Sequence, residues 1–247
     1  MKKGIFVLIF SLSMFSLQAQ DATEIVREAY EKVNGTSNYI EMKMEIVRPK
    51  WSRSISMKTW ALGMDYSMVY ISAPAQEKGQ VFMKRDNEMW NWQSKINRMI
   101  KLPPSMMMQS WMGSDFTNDD LINQASIVND YTHTILNTEM HDGYECWKIQ
   151  FAPKPDAPVV WGGIVSLISK DGKHMFKTEY FDEDDYLVKT EISTDIKKMG
   201  GEEITTRFET IPEDKEGHKT IMIMLKADFN FQLDESFFSQ MNMKRIR

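Results

Sequence analysis

One cysteine, four histidines and no apolar run long enough to span a bilayer leave this 247-residue chain short of several common chemistries. The lone Cys146 forbids an internal disulfide, so stability must come from a packed core. Scattered histidines offer no transition-metal ligand spacing, and the acidic stretch Thr117-Asn118-Asp119-Asp120 lacks the spacing of a calcium loop. No GxSxG elbow, HExxH helix or Walker loop occurs, and Cys146 stands between Glu145 and Trp147 with no histidine beside it. No enzyme activity, cofactor or metal is therefore expected. Positive charge is also in deficit: the formal net charge is −5, which disfavours nucleic acid or an anionic membrane as the main partner.

The chain starts with Lys2 and Lys3, an apolar run from Ile5 to Leu17 and a Leu17-Gln18-Ala19 cleavage site, the organisation of a secretory signal peptide over residues 1–19. The run falls short of the roughly 20 residues a spanning helix needs. Loss of the two lysines takes the net charge from −5 to −7 in the mature chain. The cleavage region holds no cysteine for lipid attachment, so a soluble exported protein is expected, with residues 20–247 forming a single domain.

What the chain has in quantity is alternation. Residues Ala22, Ile25, Val26, Ala29, Tyr30 and Val33 form one helical stripe closed by Asn34-Gly35. Beyond it, Ile40, Met42, Met44 and Ile46 alternate with charged residues, the signature of a strand with one wet face. Similar runs recur to residue 232, separated by short turns such as Asp171-Gly172 and Asp182 to Asp185. The expected fold is mainly β: a single large curved antiparallel sheet, a half-open barrel of about eleven strands, with helices covering its concave face.

One interruption stands out among 21 methionines. After Pro103-Pro104, the sequence SMMMQSWMGSDFTNDDL places Met106, Met107, Met108, Trp111 and Met112 ahead of a polar half. Ser105 is positioned to cap a short helix carrying these residues, and Thr117 with Asp120 reads as a capping box. Adjacent helical residues point about 100° apart, so three consecutive methionines cannot share one face. The cluster reads either as a helix tucked into the core or as a mobile lid over an apolar cavity, since thioethers adapt to variable apolar partners. Trp90 and Trp92 share a strand face, either as packed aromatics or as cavity wall. Arg98 reads as a lid anchor or as a solvated edge residue. With Met42 and Met44, these positions complete the candidate ligand-binding set.

The segments Lys78 to Lys84, Met89-Trp90 through Ile96-Asn97-Arg98 to Lys101-Leu102-Pro103, and above all Met106 to Leu121 resemble the outer-membrane lipoprotein-sorting family, the LolA-like proteins. Tyr180 to Asp184 and Phe237-Phe238 also fit, so the resemblance covers essentially the whole mature chain. It implies a half-open barrel with a helical lid, and a soluble periplasmic carrier that binds acyl chains of lipoproteins or other lipids and delivers them toward the outer membrane. It also implies an inner-membrane exporter of RND or ABC type and an outer-membrane acceptor as partners. The protein is expected to be a monomer. The alternative is a periplasmic lipid-sensing or lipoprotein-sensing module of an envelope-stress or exporter system, which would need a second domain to report through.

Overall fold

Alternating sequence demands a sheet with two distinct faces, and the structure supplies it in one piece. The computed structural model describes residues 21–86, 88–122, 126–157, 159–229 and 231–247. The expected signal peptide, residues 1–19, lies outside the described residues. The strands are β1 (Ser37–Arg48), β2 (Trp51–Leu62), β3 (Tyr66–Ala73), β4 (Val81–Arg85), β5 (Glu88–Gln93), β6 (Arg98–Lys101), β7 (Tyr131–His141), β8 (Tyr144–Pro153), β9 (Gly163–Ser169), β10 (Met175–Phe181), β11 (Leu187–Met199), β12 (Glu202–Pro212) and β13 (Lys219–Phe229). They form one antiparallel 13-stranded sheet in the order β6-β5-β4-β3-β2-β1-β13-β12-β11-β10-β9-β8-β7. The expectation of about eleven strands was low; an open sheet has no closure condition to fix strand number.

This order has a topological consequence. Strands β1 to β6 step outward from the centre to one edge, while β7 to β13 step inward from the other, and β1 pairs with β13 to join them. The connection from Lys101 to Tyr131 must therefore travel from one edge of the sheet to the opposite edge. That connection contains the methionine-rich stretch.

Period-two patterning divides the core between the two faces. On one face, here the inner, Met44 and Ile46 of β1, Ile55 and Met57 of β2, Phe82 of β4 and Met89 of β5 pack beneath Trp111 of the crossing connection. On the other face, Trp60, Met68, Val81, Met83 and Trp92 pack beneath Phe238 and Met243, the latter on the C-terminal α4 (Gln240–Arg245). Phe82 lies in one cluster and its neighbours Val81 and Met83 in the other, as alternation along a strand requires.

The helix read at the N-terminus forms as α1 (Ala22–Asn34). Asp21 caps it, accepting from the Thr23 amide at 2.9 Å, and Gly35 closes it at φ 62°, where a side chain is disfavoured. Its buried stripe of Ala22, Ile25, Val26 and Ala29 packs on Tyr131, Ile149, Phe151, Ile164 and Ile168 of β7, β8 and β9. Two short helices, α2 (Asn118–Ile122) and α3 (Ser126–Asn129), lie on the crossing connection, and Val128 of α3 joins the same cluster. Among the described residues, no helix is long and apolar enough to cross a membrane.

Candidate functional site

The crossing connection is folded by proline, glycine and backbone handedness more than by helix propensity. Pro103-Pro104 ends the extended chain, and Pro104–Met106 forms a single 3-10 turn without a side-chain cap. A second 3-10 turn spans Trp111–Gly113, with Met112 at φ 52° and Gly113 at φ 76°. Two successive left-handed residues cannot continue a right-handed helix, so the expected helix capped by Ser105 does not form. The chain instead makes a tight loop: Ser110 bridges Thr117, the Trp111 amide donates to the Phe116 carbonyl at 2.8 Å, and the buried Ser114 hydroxyl donates to the Trp111 carbonyl at 2.7 Å.

This loop directs Trp111 downward and two carbonyls sideways. Trp111 is 1% exposed and meets Phe82 edge-on at 5.4 Å between ring centres. Arg48 Nη2, from the end of β1, donates to the Gly113 carbonyl at 2.9 Å, and Arg53 Nη2, from β2, donates to the Met112 carbonyl. Arg48 Nη1 also donates to Asp115 Oδ2 at 2.9 Å, an ion pair whose side chains are only 9% and 5% exposed. Thr220 of β13 completes the contact: its hydroxyl donates to Asp115 Oδ2 at 2.7 Å and accepts from the Asp115 amide at 2.9 Å. The loop is thus clamped over the junction where the two halves of the sheet meet.

A second clamp follows on α2. Thr117 and Asp120 form the expected capping box, the Thr117 amide donating to Asp120 Oδ2 at 2.8 Å and the Asp120 amide to the Thr117 hydroxyl at 3.1 Å. The same Asp120 oxygen lies 3.0 Å from the ammonium of Lys189 on β11, and Glu191 Oε1 lies 3.3 Å from it. Lys189 is 4% exposed and sits 4.4 Å from the ring centre of Tyr180, 4.9 Å from Trp161 and 5.8 Å from Phe116. Burial alone would lower the Lys189 pKa, but the carboxylates of Glu191 and Asp120 more than offset it and hold the ammonium above its ordinary value. Burial pushes the Glu191 carboxyl up, with Lys189 drawing it back. Tyr180, which donates to Glu191 Oε2 at 3.1 Å, is held well above the usual phenol range by burial and the adjacent carboxylates.

Where the connection leaves β6, it roofs a pocket of about 530 Å³, a size suited to a small-molecule group. Phe82, Ile100, Leu102, Met106 and Met112 give it apolar surface. Arg53, Glu77, Gln80, Asn91, Gln93 and Gln109 give it polar surface. This lining is more polar than the expected apolar cavity.

The residues singled out from sequence separate into groups. Met44 and Trp111 are buried together, with Met42, Met107 and Met112 packed against the same cluster. Met106 lines the pocket, and Met108 points outward at 54% exposure, so the three methionines do face different ways. Trp90 and Trp92 do not join them: both belong to the outer-face cluster under Phe238 and Met243. Strand parity is the reason, because Met89 and Asn91 take the inner side of β5. Arg98 takes the solvated edge position. It is exposed at the start of the edge strand β6, after a 3-10 turn over Ser94–Ile96 and a left-handed Asn97. Arg48 and Arg53 hold the loop instead. Neither they nor Glu77 and Lys189 carry a local sequence signal for these roles; the SWMGSDF stretch points toward Asp115 alone. Among the described residues, no group of three or more histidine, cysteine, aspartate or glutamate side chains is placed to hold a metal ion.

Comparison with known proteins agrees with this architecture. The chain is similar to the crystal structure of a DUF1329 family protein from Desulfovibrio piger, with 22% identity and a TM-score of 0.80 over 90% of this chain and 97% of that one. It is similar to a putative outer membrane lipoprotein-sorting protein domain from Vibrio parahaemolyticus, with 18% identity and a TM-score of 0.78 over 91% and 98% of the two chains. A LolA superfamily protein from Nitrosomonas europaea aligns at 19% identity and a TM-score of 0.77 over 91% and 100%. No curated protein sequence matches. A family model described as uncharacterized protein matches residues 63–245, and the chain belongs to that family, with a LolA-like fold.

Proposed function

We propose that this protein is a soluble periplasmic carrier that takes the acyl chains of a lipoprotein or another lipid against the inner face of its sheet and delivers them toward the outer membrane. The observation that carries the reading is the way the crossing loop is attached. Its apolar contribution beneath the loop comes from Trp111, Met107, Met112 and Leu121, while polar contacts to Arg48, Arg53, Thr220 and Lys189 fix the loop to the sheet. An apolar plug with polar clamps can lift without unfolding the sheet beneath, whose strands are held by their own ladders.

The energetics suit carriage. An acyl chain of roughly 16 carbons gains on the order of 12 kcal/mol on leaving water, enough to make release very slow from an empty pocket. When cargo must displace Trp111 and its methionines, the net affinity falls to a difference between two apolar contacts. The thioethers of Met44, Met57 and Met89 on the sheet can then repack around chains of different shape. Donor and acceptor would be an inner-membrane exporter of RND or ABC type and an outer-membrane protein.

The test is native mass spectrometry of protein expressed with its own leader and isolated from the periplasm, followed by organic extraction of whatever it holds. Bound lipid or acylated protein, released unchanged, is the expected outcome. A clean apo mass with no uptake of added palmitate or phospholipid would overturn the proposal.

A further inference from the structure

Resting on the carrier reading, we infer that the pocket at the β6 end of the crossing loop is a headgroup site that selects a zwitterionic aminophosphate, of the phosphoethanolamine class, attached to the acyl cargo. The pocket contains a donor and an acceptor left over. Glu77 is 8% exposed and has one carboxylate oxygen, Oε1, 3.2 Å from Arg53 Nη1, while its other oxygen, Oε2, is buried and has no hydrogen-bond partner among the described residues. Arg53 spends Nη1 on Glu77 and Nη2 on the Met112 carbonyl, and its Nε is likewise buried, with no partner among the described residues. A buried polar atom without a partner is costly, and two of opposite kind on neighbouring lining residues of one pocket favour a ligand that both donates and accepts, met by a turn of the two side chains toward the pocket.

Charge narrows the class. Arg53 and Glu77 sum to zero, so a carboxylate or a phosphoglycerol group satisfies the guanidinium at the expense of repulsion from Glu77. An ammonium against Glu77 Oε2 with a phosphate oxygen against Arg53 satisfies both. The phosphate has further room in an adjoining groove of about 260 Å³ that shares Glu77, Gln80 and Gln93 and has Lys78 and Lys95 on its wall. Glu77 is held for this role by its turn: its amide donates to the Pro74 carbonyl at 3.1 Å and the Gly79 amide to the Ile71 carbonyl at 2.9 Å. Gly79 has φ 90°, and a Cβ there would fall 2.5 Å from the Ser94 hydroxyl. The apolar side of the pocket, Met106 and Met112, belongs to the same loop that covers the inner face, so a headgroup here is continuous with acyl chains beneath Trp111.

The experiment measures retention of three probes by the delipidated full chain: phosphatidylethanolamine, phosphatidylglycerol of the same acyl composition, and palmitate. The expected result is a preference of about tenfold or more for ethanolamine over glycerol, the scale of one hydrogen bond to a charged group. Glu77→Gln should remove that preference. Equal retention of the two phospholipids by the wild-type protein overturns the headgroup inference and leaves the carrier reading standing, a result that needs no variant to fold. A preference that survives Glu77→Gln overturns it as well. Failure to retain any of the three probes overturns the carrier reading itself, and this inference with it.

Discussion

Arg48 at the end of β1 and Asp115, 67 residues further along the chain, form a buried ion pair that fixes the crossing loop to the centre of the sheet. Removing one partner of such a pair strands the other, which is the expensive event. Asp115→Asn should lower the unfolding free energy by about 3 kcal/mol. Amide exchange across residues 111–121 should accelerate more than exchange in β1 or β13. Equal acceleration throughout would show that the loop does not open separately.

Trp111 serves both stability and the closed state. Trp111→Ala should destabilise the protein by about 3 to 5 kcal/mol, the range for deleting a large buried aromatic. Because the plug is then missing, palmitate should be held more tightly than by the wild-type chain. Fluorescent fatty-acid displacement reads the effect, and weaker binding would mark Trp111 as a direct cargo contact and not a placeholder.

The outer face should behave differently. Phe238 is fully buried against Tyr66 and Phe237, on the side of the sheet that carries Trp90 and Trp92. Phe238→Ala should cost a similar 3 to 5 kcal/mol, about as much as the tryptophan change, yet leave palmitate affinity unchanged in the folded fraction. A parallel loss of affinity would place cargo on the outer face.

Lys189 lies in a cage whose walls come from both the sheet and the crossing loop. Lys189→Met fills the aromatic space but leaves Asp120 and Glu191 without their cation, so a loss of about 3 kcal/mol is expected. Adding Glu191→Gln should recover part of that loss in a denaturant titration. Additive effects would show that the two side chains do not couple.

Acidification should loosen the α1 end of the molecule. His133 on β7 lies 3.1 Å from the Thr23 hydroxyl of α1 and 2.7 Å from the Ile127 carbonyl of α3. Burial depresses its folded pKa below the ordinary 6.5. His174 is depressed for the same reason. Above pH 6.5 neither state is protonated; below it the unfolded chain takes up protons that the fold resists, so stability falls as pH drops. Each histidine contributes a slope of at most about 1.4 kcal/mol per pH unit. Glu191, whose folded pKa is raised, works in the opposite direction. The informative quantity is therefore the difference between wild type and His133→Gln, whose denaturant midpoint should fall less steeply between pH 7.5 and pH 5.

Strands, hairpin tips and capping residues were legible because their determinants are local. Alternation from Ile40 to Ile46 placed Met44 and Ile46 on a buried face, and Asp182 does organise its hairpin tip, accepting from the amides of Asp184 and Tyr186. The capping box of Thr117 and Asp120 also formed as read. The crossing loop reads locally as a short helix because Ser105, directly after Pro103-Pro104, is placed to cap one. Two left-handed residues and the guanidinium groups awaiting their carbonyls decided otherwise.

The sequence alone determined a large antiparallel sheet with two chemically distinct faces, an amphipathic N-terminal helix and a methionine-rich interruption, since side-chain period and backbone handedness act over a few residues. Only the tertiary structure decided that the interruption crosses from one edge of the sheet to the other, that Trp90 and Trp92 face away from it, and that Arg48, Arg53 and Lys189 hold it down. Those outcomes depend on the pairing of β1 with β13, in which Asn38 meets Phe229 and Val47 meets Lys219, and no local pattern encodes which distant partner a strand or a buried charge will meet.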